Sequence, residues 1–346
     1  MKTSVVILNW NGAEMLRRFL PSVLACSQGE GIEICVADNA SSDNSCEVVE
    51  REFPEVRLIR LSENYGFAEG YNRALAQVEA EYVVLLNSDV EVTPGWLAPM
   101  TAYLDMHPEI VACQPKLLSF RNKSSFEYAG ASGGFIDRYG YPFCRGRIFE
   151  TIEVDNGQYD EVIPVFWATG AALLIRLQTY REVGGLDGRF FAHMEEIDLC
   201  WRLRSRGYGI VCLPFSKVYH VGGATLKKEN PRKTFLNFRN NLFMLYKNLP
   251  EQELTQVMRI RFFLDYLAAL VFLLKGDWAN FRAVLKARRE YCNMRSLFTA
   301  DRMENLHHTV CPTVPERFCG SILWQAKLCG RKTFAALSGC FLLGDK

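Results

Sequence analysis

Four short apolar runs near the start of the chain, each ending in polar side chains, constrain its fold more than any other feature. SVVILNW, IEICVAD, VRLIRL and YVVLLN read as buried strands. Helical stretches separate them, over about 12–26, from Asp43, Asn44 and Ser45 onward, and through 70–78. Short, β-branched runs alternating with helices predict an α/β fold. Its sheet is mainly parallel, with right-handed crossovers and helices on both faces. In such Rossmann-like sheets a ligand sits at the carboxyl ends of the strands. The polar residues fall there: Asn9, Trp10 and Asn11, then Asp38 and Asn39, then Asn87, Ser88 and Asp89. Pro94 is expected in a first helical turn, where its missing N–H costs nothing.

Further on, 110–175 is rich in Gly, Tyr and Phe and reads as mixed strands and loops. A helix follows over about 194–206, with acids in its first turn and arginines in its last, which suits the helix dipole. After a strand pair, IVCLP and KVYHV, the chain becomes helical and basic. The 346 residues suit one large domain or a domain with an appendage. The expected division is a catalytic domain over 1–225 and a helical, basic region over 226–346. The net charge of +1 hides an asymmetry, because 226–346 holds 20 Lys and Arg against 10 Asp and Glu. Such a split suggests that the C-terminal part meets something anionic, and a membrane surface is the expected partner rather than nucleic acid. Within it the apolar run 262–274 has 13 residues, including Asp265. A spanning helix needs ~20, so this is either a buried amphipathic helix or an interfacial one lying among arginines and lysines. Twelve scattered cysteines without a C-x-x-C pair behave as small core residues and favour a reducing compartment. The N-terminus runs straight into a strand with no signal-peptide apolar region, so the expected location is cytoplasmic.

Several residues carry candidate chemistry. Asp38, at a strand end, suits acceptance from the imide N–H of a uracil or thymine ring. A helix N-cap is the other use for an acid here, but Ser42 and Asp43 are better placed for capping. The segment from Asn64 through Gly66 and Gly70 to Asn72 lies between strand and helix. Its glycines let backbone approach a ligand, and a helix N-terminus favours a diphosphate. A plain turn gives the same pattern. Asp89, at the tip of a buried strand, is where Mg²⁺ or Mn²⁺ bridging diphosphate oxygens would be held, unless it is an ordinary turn acid. Glu195, Glu196 and Asp198 put three carboxylates at one helix start. Favourable dipole placement alone does not require three. Adjacent carboxylates raise at least one pKa, as a general base working near neutrality needs. Glu195 and Asp198 share a face, while Glu196 points elsewhere. His220 becomes a metal ligand if it closes on Asp89.

The order SVVILNWNG, VADNASSDNS, NYGFAEGYN, NSDVEV, WATGAALLIR, GGLDGRFFAHMEEIDLCWRLRSRGY and then His220 resembles the family 2 glycosyltransferases, over roughly residues 3–245. Within them it is most similar to the branch that contains bacterial rhamnosyltransferases. The resemblance implies a GT-A fold and an inverting transfer of sugar from a nucleotide-diphosphate donor to a saccharide or polyprenyl-linked acceptor. Asn9, Asp38, Asn39, Asn64 and Asn72, with Gly66, Asn87 and Ser88 beside them, would line the nucleotide pocket. Asp89 matches the last acid of the family's Asp-x-Asp motif, and His220 matches a second metal ligand. Glu196 matches the base that deprotonates the acceptor, with Glu195 and Asp198 orienting acceptor hydroxyls. Trp167, Gly170 and Ala171 match an acceptor-side segment. Arg239 is the candidate cation for the leaving diphosphate, and a surface arginine is the other reading of it. Two positions depart from the family pattern. Asn87 stands where an acid is common, and Glu196 reaches one methylene further than the usual Asp. Deoxythymidine-diphospho-rhamnose is the donor suggested by analogy, and the membrane's inner face the place suggested by a lipid-linked acceptor. A nucleotidyltransferase and a non-catalytic nucleotide-sugar-binding protein are the competing readings. The first usually opens on a basic, Gly-rich loop that Asn9, Trp10, Asn11 and Gly12 do not provide.

Overall fold

The computed structural model describes residues 1–222 and 230–337. The first half alternates strand and helix as expected. β1 is Thr3–Asn9, α1 Ala13–Cys26, β2 Ile32–Asp38, α2 Ser45–Glu52, β3 Arg57–Arg60, α3 Gly66–Leu75, β4 Tyr82–Asn87, β5 Val90–Val92 and α4 Ala98–Met106. β6 is Ile110–Ser119, and four short strands follow: β7 Gly134–Asp137, β8 Pro142–Cys144, β9 Arg147–Ile148 and β10 Thr151–Ile152. Then come β11 Ile163–Pro164, β12 Ala172–Arg176, α5 Leu177–Glu182, α6 Glu195–Ser205 and β13 Gly209–His220. The C-terminal part contributes α7 Pro231–Asn248, α8 Glu251–Leu274, α9 Trp278–Met294, α10 Thr299–His307, β14 Arg317–Phe318 and α11 Ile322–Lys327.

Among the described residues the main sheet runs β11-β13-β6-β12-β4-β1-β2-β3, with β5 on β13. β3, β2, β1 and β4 pair parallel, as do β13 and β6, so the sheet is mainly parallel as expected, with β12 inserted antiparallel between β4 and β6. The pleat sorts its residues by period two. Val6, Cys35, Ala37, Val83 and Leu85 face α3 and α6, whereas Val5, Ile7, Val36, Val84 and Leu86 face α1, α2 and α4. Both faces are therefore dry, which is why these strands read as continuous apolar runs.

Two local expectations give way. Pro94 lies in a turn, and it is Pro99 that occupies the start of α4. IVCLP and KVYHV are one strand, β13, whose register on β6 shifts between Leu213 and Lys217. Pro214 falls in that shift, where a residue without an N–H is tolerated. The expected boundary at 225/226 lies outside the described residues. On either side of it the parts are stitched together: β14 pairs with β7 in a second sheet, and Arg261 of α8 donates to the Tyr139 carbonyl at 2.8 Å.

Candidate active site

The register places Asn9 opposite Asp38, and Leu8 opposite Asn87, so the polar ends of β1, β2 and β4 adjoin. Asn9 donates to Asp38 at 3.1 Å and to the Ser41 hydroxyl at 3.2 Å, and the Ser41 N–H donates back to Asp38 at 2.9 Å. Asp38 is buried, yet a carboxylate offers about four lone pairs, and two remain for a ligand. The buried Asn9 Oδ1 has no partner. A Cβ on Gly12 would stand 2.3 Å from it, so this turn needs glycine. Asp43 does the capping, taking the N–H groups of Ala13 at 3.1 Å and Ser45 at 3.0 Å, the first residues of α1 and α2.

Beyond β4, His220 Nε2 lies 3.1 Å from Asp89 Oδ1 and 3.4 Å from Asn87 Nδ2. Its other nitrogen lies 3.5 Å from Glu127. Burial opposes charge on this ring, but Glu127 and Asp89 outweigh it and raise its pKa to about 10. Burial pushes Asp89 up as well, and the bond and charge of His220 overcome that to hold it below the usual carboxylate range. The cluster is thus built to retain positive charge. Among the described residues no three His, Cys, Asp or Glu side chains converge as a metal cage. The donor set nevertheless fits a divalent ion shared with a substrate. Asp89 and His220 are 3.1 Å apart, about the spacing of two adjacent ligands each ~2.1 Å from one ion. Glu127 lies 3.5 Å behind the imidazole and acts on it through charge rather than a hydrogen bond, since the buried Nδ1 has no hydrogen-bond partner. No local motif marks Glu127, which arrives from the loop after β6.

The acids at α6 emerge from a turn in which Phe191, His193 and Met194 all have positive φ, of 66°, 71° and 74°. Such strain in non-glycine residues persists only where surrounding groups impose it. Asn240, fully buried on α7, does so by donating to three carbonyls, those of Phe190 at 2.9 Å, Ala192 at 2.9 Å and His193 at 2.8 Å. Only its place on an inward face of α7 could have marked it in the sequence. Glu195 and Glu196 then each keep one buried oxygen without a partner. Burial, and then the charge of Glu196 and Asp198, raises the Glu195 pKa well above the ordinary range. Burial raises Glu196 to about 6. Position 170 must be small, because a Cβ there would stand 3.1 Å from the Phe67 ring and 3.7 Å from Glu196 Cβ. The next residue, Ala171, accepts the Asn87 N–H at 3.0 Å. One short segment thus joins the acids of α6 to the Asp89 side.

Other expected site residues are turned elsewhere. Asp198 accepts from Arg202 at 3.0 Å, Lys247 at 2.8 Å and Asn248 at 2.8 Å, and it is fully buried, so it turns no oxygen to an acceptor. Asp198→Ala should therefore cost stability, about 3–5 kcal/mol in denaturant unfolding, because it leaves the buried Arg202 without its carboxylate and Lys247 with Asp187 alone. A loss below about 1 kcal/mol would show that the cluster is not structural. Asn72 binds both backbone groups of Leu186, at 2.7 and 3.1 Å, together with the Tyr180 hydroxyl. Asn39 and Asn64 brace the turn before α3, with Asn39 accepting from Tyr65 and donating to Gly66. The N-terminus of α3 is not open to a diphosphate, since Phe67 and Ala68 donate to the Phe191 carbonyl at 2.7 and 3.2 Å. Gly66 serves that contact: a Cβ there would meet the Phe191 ring at 2.5 Å. Trp167 is buried and donates to the Phe135 carbonyl at 2.9 Å. Arg239 is spent on Glu290 at 3.4 Å and the Arg189 and Phe190 carbonyls at 3.2 and 3.3 Å, so it supports the strained turn rather than a leaving group.

Polar side chains at parallel strand ends, an Asp–His pair beside them and buried acids on a following helix fit the fold of a GT-A glycosyltransferase. Residues 4–165 match the profile of glycosyl transferase family 2. Over that stretch the chain has a family 2 glycosyltransferase domain, and glycosyl transfer from a nucleotide-sugar donor is the activity that the matches support. It is 28% identical over 234 residues to the N-acetylglucosaminyl-diphospho-decaprenol L-rhamnosyltransferase of Mycobacterium tuberculosis, covering 62% of this chain and 75% of that protein. In structure it resembles S. aureus TarS in complex with UDP-GlcNAc, with a TM-score of 0.55, 15% identity and 89% of each chain covered. It also resembles the mannosyltransferase PcManGT of Pyrobaculum calidifontis in complex with GDP-Man and Mn²⁺, with a TM-score of 0.51 and 14% identity over 88% of this chain and 87% of that one.

Proposed function

We propose that this protein is an inverting, divalent-metal-dependent transferase. It moves one hexosyl or deoxyhexosyl unit from a nucleotide-diphosphate sugar to a polyprenyl-linked saccharide at the inner face of the cell membrane, in the synthesis of a surface glycan. The observation that carries this reading is the arrangement around Gly170 and Ala171. Glu196, a carboxylate raised to about 6 with an unpartnered oxygen, lies on one side, and Asn87, bonded to Ala171 and next to the Asp89–His220 pair, on the other. Asn9, Asp38, Asn87 and Ser88 hold the nucleotide end of the donor. Glu196 accepts the proton of the acceptor hydroxyl as its oxygen bonds to the anomeric carbon. The bond from that carbon to the diphosphate breaks, and the nucleoside diphosphate leaves with the electron pair. Asp89 and His220 would hold a Mg²⁺ or Mn²⁺ ion, which when bound supplies charge stabilisation to the leaving diphosphate. Glu195, held protonated, can donate a hydrogen bond to the acceptor beside the base. The lipid-linked acceptor, and deoxythymidine-diphospho-rhamnose as first donor to try, are supported by the relative from M. tuberculosis and its printed name.

The test is transfer from a panel of nucleotide sugars to a prenyl-diphosphate-linked acceptor, with the new linkage assigned by NMR. A product whose anomeric configuration is opposite to that of the donor is expected. Retention would overturn the single displacement.

A further inference from the structure

The helix α8 is built inside out. Its buried stripe is Val257, Arg261, Asp265 and Ala269, every fourth residue. Asp265 accepts from Arg261 at 3.1 and 3.0 Å and from Arg288 of α9 at 2.6 Å, so the helix is fixed to the protein through charge. The opposite side is apolar and bare. Phe262, Phe263, Leu267, Leu270 and Leu274 are 45%, 70%, 56%, 46% and 78% exposed, and Trp278 just beyond is 58% exposed. At 100° per residue these positions fill about half the circumference. From Phe262 to Leu274 the one charged residue is Asp265, which points inward. A continuous apolar face of this kind on a soluble protein marks an interaction surface.

Its rim says with what. Arg259 and Lys275 are exposed at the two ends of the apolar stretch, and Arg282 and Arg289 are exposed on the adjoining α9. Among the described residues none of these four pairs with a carboxylate. Between α8 and α9 lies an open groove of about 530 Å³, in which Arg259, Arg288 and Arg295 meet Phe262, Phe263 and Tyr291. Apolar side chains beside clustered cations match an interface of acyl chains and anionic headgroups. A second copy would oppose two surfaces of the same sign. No helix among the described residues is long and apolar enough to cross a membrane. A helix that cannot span can lie in the plane of the interface.

We infer that the outer face of α8, with the cations of α9, docks this protein on an anionic lipid bilayer with the helix lying in the headgroup plane. The inference rests on the proposed use of a lipid-linked acceptor and adds the surface that brings the enzyme to it.

Co-sedimentation of the full-length protein with phosphatidylglycerol vesicles, and with vesicles of phosphatidylcholine alone, tests it. Strong binding to the first, weakened by salt, and little to the second is expected. Phe263→Glu with Leu270→Glu should weaken binding at least about tenfold, because each buried apolar side chain is worth roughly that factor. Leu274→Glu, at the helix end, is a second variant in case the first disturbs folding. Both should keep wild-type transfer to a water-soluble acceptor analogue. If wild type ignores anionic vesicles at low salt, the docking surface is wrong. Glycosyl transfer is then judged separately by the soluble assay. If wild type binds but both folded variants bind equally well, α8 is not the surface and the membrane reading stands without it. A dimer that the substitutions dissociate, with no vesicle binding, would assign the face to a second copy and overturn the inference.

Discussion

Glu196→Gln should lower kcat on the order of 10²–10⁴-fold while leaving donor affinity nearly unchanged. Glutamine keeps the volume and the contact with Gly170 but cannot take a proton. The loss should therefore fall on the chemical step and spare binding. The pH profile provides an independent readout. A base must be ionised to act, so wild-type kcat should rise as pH increases through about 6, where burial has placed the Glu196 pKa. That limb should vanish in the variant. Stability should move the opposite way. Between the ordinary value of 4.5 and about 6 the folded protein keeps a proton on Glu196 that the unfolded chain has released. Stability is thus full below that window and falls by on the order of 2 kcal/mol as pH rises through it. Glu196→Gln cannot ionise, so at about pH 8 it should unfold at a higher temperature than wild type. Turnover within about threefold of wild type would remove Glu196 from the role and turn attention to Glu195.

The strained turn before α6 explains why that carboxylate stays in place despite its cost. Its neighbour Glu195 is pushed further up, so the pair shares its charge unequally and one member remains ionised near neutrality. Asp198 takes no part in this. It faces inward and anchors the first turn of α6 through Arg202 and Lys247. On the proposed reading the three acids at one helix start divide into a base, Glu196, a protonated neighbour, Glu195, and a structural anchor, Asp198.

What could be read in the sequence follows from the range of the interactions involved. β1 and β4 are visible because each is a dry run closed by a polar residue, and β2 because its buried second half ends on Asp38; all of these signals are local. The sequence marks His220 as a ligand on the condition that it closes on Asp89, but the pairing itself needs the fold, since β13 brings His220 back from 131 residues away. Glu127, Asn240 and Lys247 were invisible for the same reason. Their roles are set by partners that the fold delivers, and nothing in their neighbours marks them. Asn72 and Asp198 misled because a polar residue in the right motif serves equally well to tie elements together. Asn72 was claimed by Leu186 and Asp198 by Lys247 and Asn248. The antiparallel β12 escaped notice because a buried strand looks alike in either direction. The run 262–274 leaves a buried and an interfacial helix both open, because its apolar residues resemble those of any core helix and only the fold shows which side is turned out.

Removing divalent metal should abolish transfer, and Mn²⁺ or Mg²⁺ should restore it. The expectation rests on a cluster that already concentrates cation affinity. Asp89 and Glu127 flank His220 and hold a proton on it up to about 10, so a divalent ion must displace that proton to bind. With two protein ligands, most of the coordination shell is left to diphosphate oxygens and water. The ion and the donor should consequently bind together: titration calorimetry should find donor affinity strongly raised by Mn²⁺ in wild type. Asp89→Ala should erase that dependence, since neither Asn87 nor His220 replaces the lost charge. Glu127→Gln should weaken Mn²⁺ binding about 10–100-fold by removing a negative charge beside the imidazole without removing a ligand. That outcome separates a supporting role for Glu127 from none, and it is read on the metal itself rather than on turnover. Full transfer in excess chelator, or donor affinity indifferent to Mn²⁺ in the wild-type protein, would mean that Asp89 and His220 form a buried ion pair and nothing more.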